Sequence, residues 1–173
     1  KFRELEFFAL EKLILNSEND NLELKTKNNY KTVTDKGQLE KLVNYFNNSK
    51  KLTFNIEVTS EDPFSTSIIG FSFYSESKIG WYVPINFNNK IKNSSRLNDL
   101  DYILEKLKPV FENKNSIKIA HNIKFLSILL KNNSILLNGN FFDIQLAAHL
   151  INPESKNYSI DSLSLEYIGD ELL

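Results

Sequence analysis

The sequence predicts a layered domain, α/β or α+β, in which helices pack on a mixed sheet. Three observations carry this. The stretch Leu52–Thr59 alternates with a period of two: Leu52, Phe54, Ile56 and Val58 share one face, and Thr53, Asn55, Glu57 and Thr59 the other, as a half-buried strand requires. Two further apolar segments, Ser67–Tyr74 and Ile79–Pro84, are joined by the short polar link Ser75–Lys78, which makes them an antiparallel hairpin. Beyond them, segments of helical spacing alternate with short apolar runs.

Taken in order, Phe2–Leu15 is apolar-rich with interleaved charges and reads as a helix, followed by the turn-prone Asn16–Asn21. Tyr30–Thr34 reads as a short strand. Thr34-Asp35-Lys36-Gly37 then opens a helix with Leu39, Leu42, Val43 and Phe46 on its apolar face. After the central strand comes the turn Glu61–Ser65, then the hairpin. Phe87–Leu97 lacks periodicity and reads as a solvated loop, with Lys90, Lys92 and Arg96 as ordinary surface charges. A helix is expected over Asn98–Glu112, with Pro109 placed to kink or stop it. Ser116–Ala120 reads as a strand, His121-Asn122 as the cap of a helix through Leu130, and Ile135–Leu137 as another short strand. Phe142-Asp143 is expected to open a helix closed by Asn152-Pro153. Ser159 suits an N-cap for a last helix to Tyr167, with Gly169 just past its end.

A chain of 173 residues, 41% hydrophobic and 25% charged, fits one globular domain with a real core. It has no cysteine, so disulfides and thiolate metal sites are excluded, and an intracellular, cytoplasmic setting is expected. The only histidines are His121 and His149, which excludes a histidine-rich metal cage; a catalytic metal would sit on carboxylates. A net charge of −1 argues against a domain whose main task is gripping a phosphate backbone. No apolar run approaches the roughly 18–20 residues of a membrane span. The five glycines form no Gly-x-Gly phosphate loop, and no internal repeat is present. The abundant Asn, Lys and Ile match the coding bias of an AT-rich genome and read as surface drift.

Six short motifs in register carry a family resemblance from about Tyr30 onward. They are Leu52–Val58, Ile69-Gly70-Phe71-Ser72-Phe73, Trp81-Tyr82-Val83-Pro84-Ile85, Ala120-His121-Asn122-Ile123-Lys124-Phe125, Phe142-Asp143-Ile144 and Tyr158-Ser159-Ile160-Asp161-Ser162-Leu163. Together they resemble the 3′→5′ exonuclease domain of bacterial (family A) DNA polymerase I. The resemblance implies a ribonuclease H-like fold, a mixed central sheet flanked by helices. It also implies a division into a connector, residues 1–25, following a 5′-nuclease region, and an exonuclease-like domain, residues 26–173, continuing past the C-terminus. The start on Lys1, without methionine, accords with a piece of a longer chain. The parent would be a polymerase that replicates and repairs DNA, with 5′-nuclease and polymerase domains covalently linked, DNA as partner and no membrane.

In active members of that family two magnesium-class ions clamp the attacking and leaving oxygens of a phosphodiester, held by carboxylates of three motifs. The first is Asp-x-Glu on the central strand; here it reads Asn55-Ile56-Glu57. The second, Asn-x-x-Phe/Tyr-Asp, reads Asn122-Ile123-Lys124-Phe125-Leu126, with leucine where the acid belongs. The third, Tyr-x-x-x-Asp, is not found: Tyr158 is followed by Ser162, and Tyr167 by Glu171 in a poor context. No catalytic residue and no metal ligand is therefore expected at Asn55, Glu57 or Leu126. This domain is expected to need no cofactor, magnesium belonging to the polymerase part of the parent. Glu57 reads as a relic or a local hydrogen-bond acceptor, Asp143 and Asp161 as helix N-terminal charges, His121 as a packed or capping histidine, and Lys124 as a solvated charge. The expected function is a structural exonuclease-like module of the polymerase. The alternatives are an active metal-dependent 3′-5′ exonuclease recruiting Asp143, Asp161 or Glu171, and a stand-alone binding module.

Overall fold

The computed structural model describes residues 29–74, 76, 79–85 and 99–169. The expected first helix, the turn after it, the connector, the Phe87–Leu97 loop and Glu171 lie outside these residues. The described elements are β1 (Asn29–Thr32), α1 (Lys36–Asn47), β2 (Lys51–Val58), β3 (Ile68–Tyr74), β4 (Ile79–Pro84), α2 (Leu100–Glu112), β5 (Ile117–Ala120), α3 (Ile123–Asn132), β6 (Asn140–Asp143), α4 (Ile144–Ile151) and α5 (Ile160–Tyr167).

The strands form one six-stranded sheet in the order β1-β4-β3-β2-β5-β6. β3 pairs antiparallel with β2 and β4, while β1–β4, β2–β5 and β5–β6 are parallel, so β3 alone runs against the rest. The central strand has the predicted two faces: Leu52, Phe54 and Ile56 are buried and Asn55 is exposed. Their face is covered by α1 and α2, which pack against each other. Phe111 of α2 lies 5.2 Å from the ring of Phe54 and 6.3 Å from that of Phe71. Phe46 of α1 lies 5.5 Å from Phe73. Fully burying each such ring contributes about 1.5–3 kcal/mol, so this aromatic cluster anchors two helices to the middle of the sheet.

The local signals account for most boundaries. Asp35 caps α1 by accepting from the Gln38 amide at 2.9 Å, and Leu39, Leu42, Val43 and Phe46 are all buried as their spacing predicts. Ser159 caps α5 through the Ser162 amide, and Gly169 follows it at φ +82. Pro109 does not stop α2, which continues to Glu112. Val110 and Phe111, just past the proline, are fully buried, and that packing holds the turn despite the lost N–H.

Two expectations fail at the far edge. Ile135–Leu137 is not a strand. Its backbone donors go to helix ends instead: Ile135 to the Leu130 carbonyl at 2.9 Å, Leu136 to Glu112 Oε1 at 3.1 Å, and next along, Asn138 to the Phe111 carbonyl at 3.1 Å. Gly139, at φ +101, then turns the chain in a space where a Cβ would stand 2.5 Å from the Ser116 carbonyl. The strand that follows is Asn140–Asp143, so Phe142 belongs to β6 rather than to a helix, and α4 begins one residue after Asp143.

A charge lies inside this fold. Lys118 of β5 is fully buried. Its Nζ donates to the Asn113 carbonyl at the end of α2, to Ser116 Oγ at 2.6 Å and to the Ser116 carbonyl at 3.4 Å. Burial lowers its pKa to about 8. The carbonyls at the end of α2 offset only part of the cost of burying the ammonium.

Candidate functional site

Glu57, His121 and Asp143 all stand at or just beyond the carboxyl ends of the adjacent parallel strands β2, β5 and β6. The topology thus gathers these three positions along one end of the sheet, where ligands of open α/β sheets commonly bind.

Asn55 is exposed, on the β2 face opposite the aromatic cluster, and its cross-strand partner is Ser72, itself paired with Tyr82 of β4. Glu57, two residues on, is half-buried. Its Oε2 accepts from the Tyr82 hydroxyl at 3.0 Å and its Oε1 from Ser72 Oγ at 3.4 Å. Tyr82 reaches that far because Gly70, opposite Glu57 on β3, leaves room; a Cβ there would sit 2.6 Å from the Tyr82 hydroxyl oxygen. Burial, followed by the hydrogen bond to Glu57 and its charge, pushes the Tyr82 phenol above its usual range.

Leu126, at the second-motif position, is 2% exposed and belongs to the hydrophobic core. Asn122 begins α3 in the left-handed region, φ 56, and accepts from the Phe125 amide. The carboxylate of Asp143 serves two helix starts. It accepts from Asn122 and Ile123 (3.2 and 2.8 Å) at the start of α3, and from Gln145 and Leu146 (2.9 and 3.3 Å) in α4. The pairing of Ala120 with Asp143 explains this: β5 and β6 end side by side, so the helices leaving them begin on either side of one carboxylate. Asp143 is therefore the helix N-terminal charge predicted for it, shared between two helices.

The remaining candidates are dispersed. Asp161 is exposed in the first turn of α5, and Lys124 is exposed on α3. His121 packs as a bridging group, its Nε2 lying 2.6 Å from the Tyr158 carbonyl. The Tyr158 hydroxyl donates to the Asn152 carbonyl, and Ser162 joins the Ser159 and Asn157 capping network. Tyr167, 53% exposed, lines an apolar groove of about 340 Å³ between α4 and α5. Among the described residues, no three His, Asp or Glu side chains are grouped closely enough to hold a metal ion, and no helix is long and apolar enough to cross a membrane.

Tyr82, Ser72 and Gly70 escaped the sequence reading as neighbours of Glu57. Their face follows from the period of two, but their position opposite Glu57 depends on the register of β3 against β2 and β4.

A sequence profile described as 3′-5′ exonuclease matches residues 30–173. The chain is 32% identical over 139 residues to DNA polymerase I of Borreliella burgdorferi, covering 80% of this chain and 14% of that protein. It is 27% identical over 142 residues to DNA polymerase I of Pseudomonas aeruginosa, covering 81% and 15%. It thus spans about a seventh of the length of these relatives. Among solved structures, it is similar to Escherichia coli RNase D, an exoribonuclease (TM-score 0.62, 14% identity, 84% of this chain and 35% of that one). It is also similar to the catalytic core of RRP6 from Trypanosoma brucei (TM-score 0.64, 16% identity, 88% and 38%). The fold is ribonuclease H-like. With the motif register extended over most of its length, the chain belongs to the 3′-5′ exonuclease domain family of the family A DNA polymerases.

Proposed function

We propose that this domain does not cut DNA ends and serves as a structural module of a cytoplasmic DNA polymerase I that replicates and repairs DNA. One observation carries the reading. Of the first- and second-motif positions only Glu57 is an acid, and both of its oxygens accept hydrogen bonds from protein hydroxyls. Asn55 offers a neutral amide, and Leu126 is a core hydrocarbon. This donor set does not fit a pair of dications: magnesium sheds water reluctantly and wants several anionic oxygens in return. Recruitment of Asp143 in place of the lost acids is opposed by the four backbone amides it already serves. The domain itself takes no metal in this reading; magnesium and DNA belong to the polymerase part of the parent, linked to this one along the chain, with a 5′-nuclease part on its other side.

The test is release of nucleotides from a labelled 3′ end with magnesium or manganese. No turnover above a metal-free control is the expected result. Turnover abolished by Glu57→Gln would overturn the proposal.

A further inference from the structure

We propose that Glu57 is held as a structural anion: Tyr82 and Ser72 close a clasp on its carboxylate, across the space left by Gly70, that locks β2, β3 and β4 together. This deepens the reading of the domain as a supporting module, since a carboxylate so engaged serves the sheet.

Three features converge on it. The partners come from three neighbouring strands, Glu57 from β2, Ser72 from β3 and Tyr82 from β4, so the contacts span the part of the sheet where β3 runs against its neighbours. Each carboxylate oxygen has its own donor, at 3.0 Å from Tyr82 and 3.4 Å from Ser72. Hydrogen bonds to a charged acceptor are the stronger kind, and a half-buried carboxylate without them would carry a desolvation penalty. The third feature is steric. An added Cβ at Gly70 would lie 2.6 Å from the Tyr82 hydroxyl oxygen and 2.9 Å from two of its ring carbons, so glycine makes the room in which the phenol lies. β-Sheets are stabilised by such cross-strand side-chain contacts on one face.

The test is a double-mutant cycle in the 173-residue chain, read by urea unfolding. Glu57→Ala and Tyr82→Phe should each shift the folding equilibrium about tenfold toward the unfolded state, the scale of one charge-assisted bond. Tyr82→Phe made in the Glu57→Ala background should shift it threefold or less. Gly70→Ala should destabilise the wild-type chain and cost markedly less when Tyr82 is alanine. Equal effects of Tyr82→Phe in both backgrounds would overturn the clasp. So would a rise in melting temperature with millimolar manganese that Glu57→Gln abolishes, because Glu57 would then be a metal ligand. Nucleotide release with the coupling intact would overturn only the proposed loss of cutting; additive effects without nucleotide release would overturn only the clasp.

Discussion

Replacing Asp143 by alanine removes one small group on which two helix starts depend. The carboxylate accepts from four backbone amides, two at the start of α3 and two in α4. Loss of a single N-cap costs about 1 kcal/mol, within a range of about 0.5–2, and two helices are affected. The acceptor is charged, which raises the value of each bond. The expected cost of Asp143→Ala is thus about 2–4 kcal/mol, a large part of the roughly 5–15 kcal/mol that holds a typical domain together. Asp143→Asn keeps Oδ1, which takes the Asn122, Gln145 and Leu146 amides, and loses the charge and the Oδ2 bond to Ile123. It should cost about half as much. Urea unfolding followed by circular dichroism measures both, with the midpoint moving and the slope unchanged. Amide exchange should speed up at Ile123 and Gln145 together. A loss of less than about 0.5 kcal/mol for the alanine variant, the scatter of ordinary surface changes, would refute the shared cap. Loss of protection in one helix alone would do the same.

Restoring the family's acids with Asn55→Asp and Leu126→Asp should yield no nucleotide release in this chain. The second change also puts a carboxylate at a position only 2% exposed, so unfolding measurements should show a loss of about 3 kcal/mol or more. Lys118 gives a pH signature. Its folded pKa, about 8, lies below the ordinary 10.5, so between these values the unfolded chain binds more protons and stability rises with pH. Lys118→Met should flatten the rise, measured from pH 8 to 10; above pH 10 the raised Tyr82 pKa works in the opposite direction, since the folded state resists forming the phenolate. Gly139→Ala combines a positive φ with a close carbonyl and should cost about 2 kcal/mol or more in the same assay.

The parts legible in the sequence are those decided over a few residues. The apolar spacing of α1, the two faces of β2, and the caps Asn122 and Ser159 are local, and each is found where the pattern puts it. The last strand is not local. Ile135–Leu137 and Phe141-Phe142 are both short apolar runs, and what separates them is where their amides go: to the ends of α2 and α3 for the first, to β5 for the second. The same holds at the candidate site. The shared face of Asn55 and Glu57 follows from periodicity, whereas the approach of Tyr82 to Glu57 depends on strand register and on a missing side chain at Gly70. Lys118 reads as one polar residue in an apolar strand; only the fold brings the Asn113 carbonyl to its ammonium.

The β6 margin of the sheet has a consequence for strand addition by other chains. Among the described strands, β6 closes one end of the sheet order and is four residues long. An unpaired strand edge is an invitation to a neighbouring chain, and its appeal grows with its length and flatness. The described border at β6 is such a stub, leading directly into α4. A second molecule trying to extend the sheet at β6 would find few amides and carbonyls in line before a helix blocks its path.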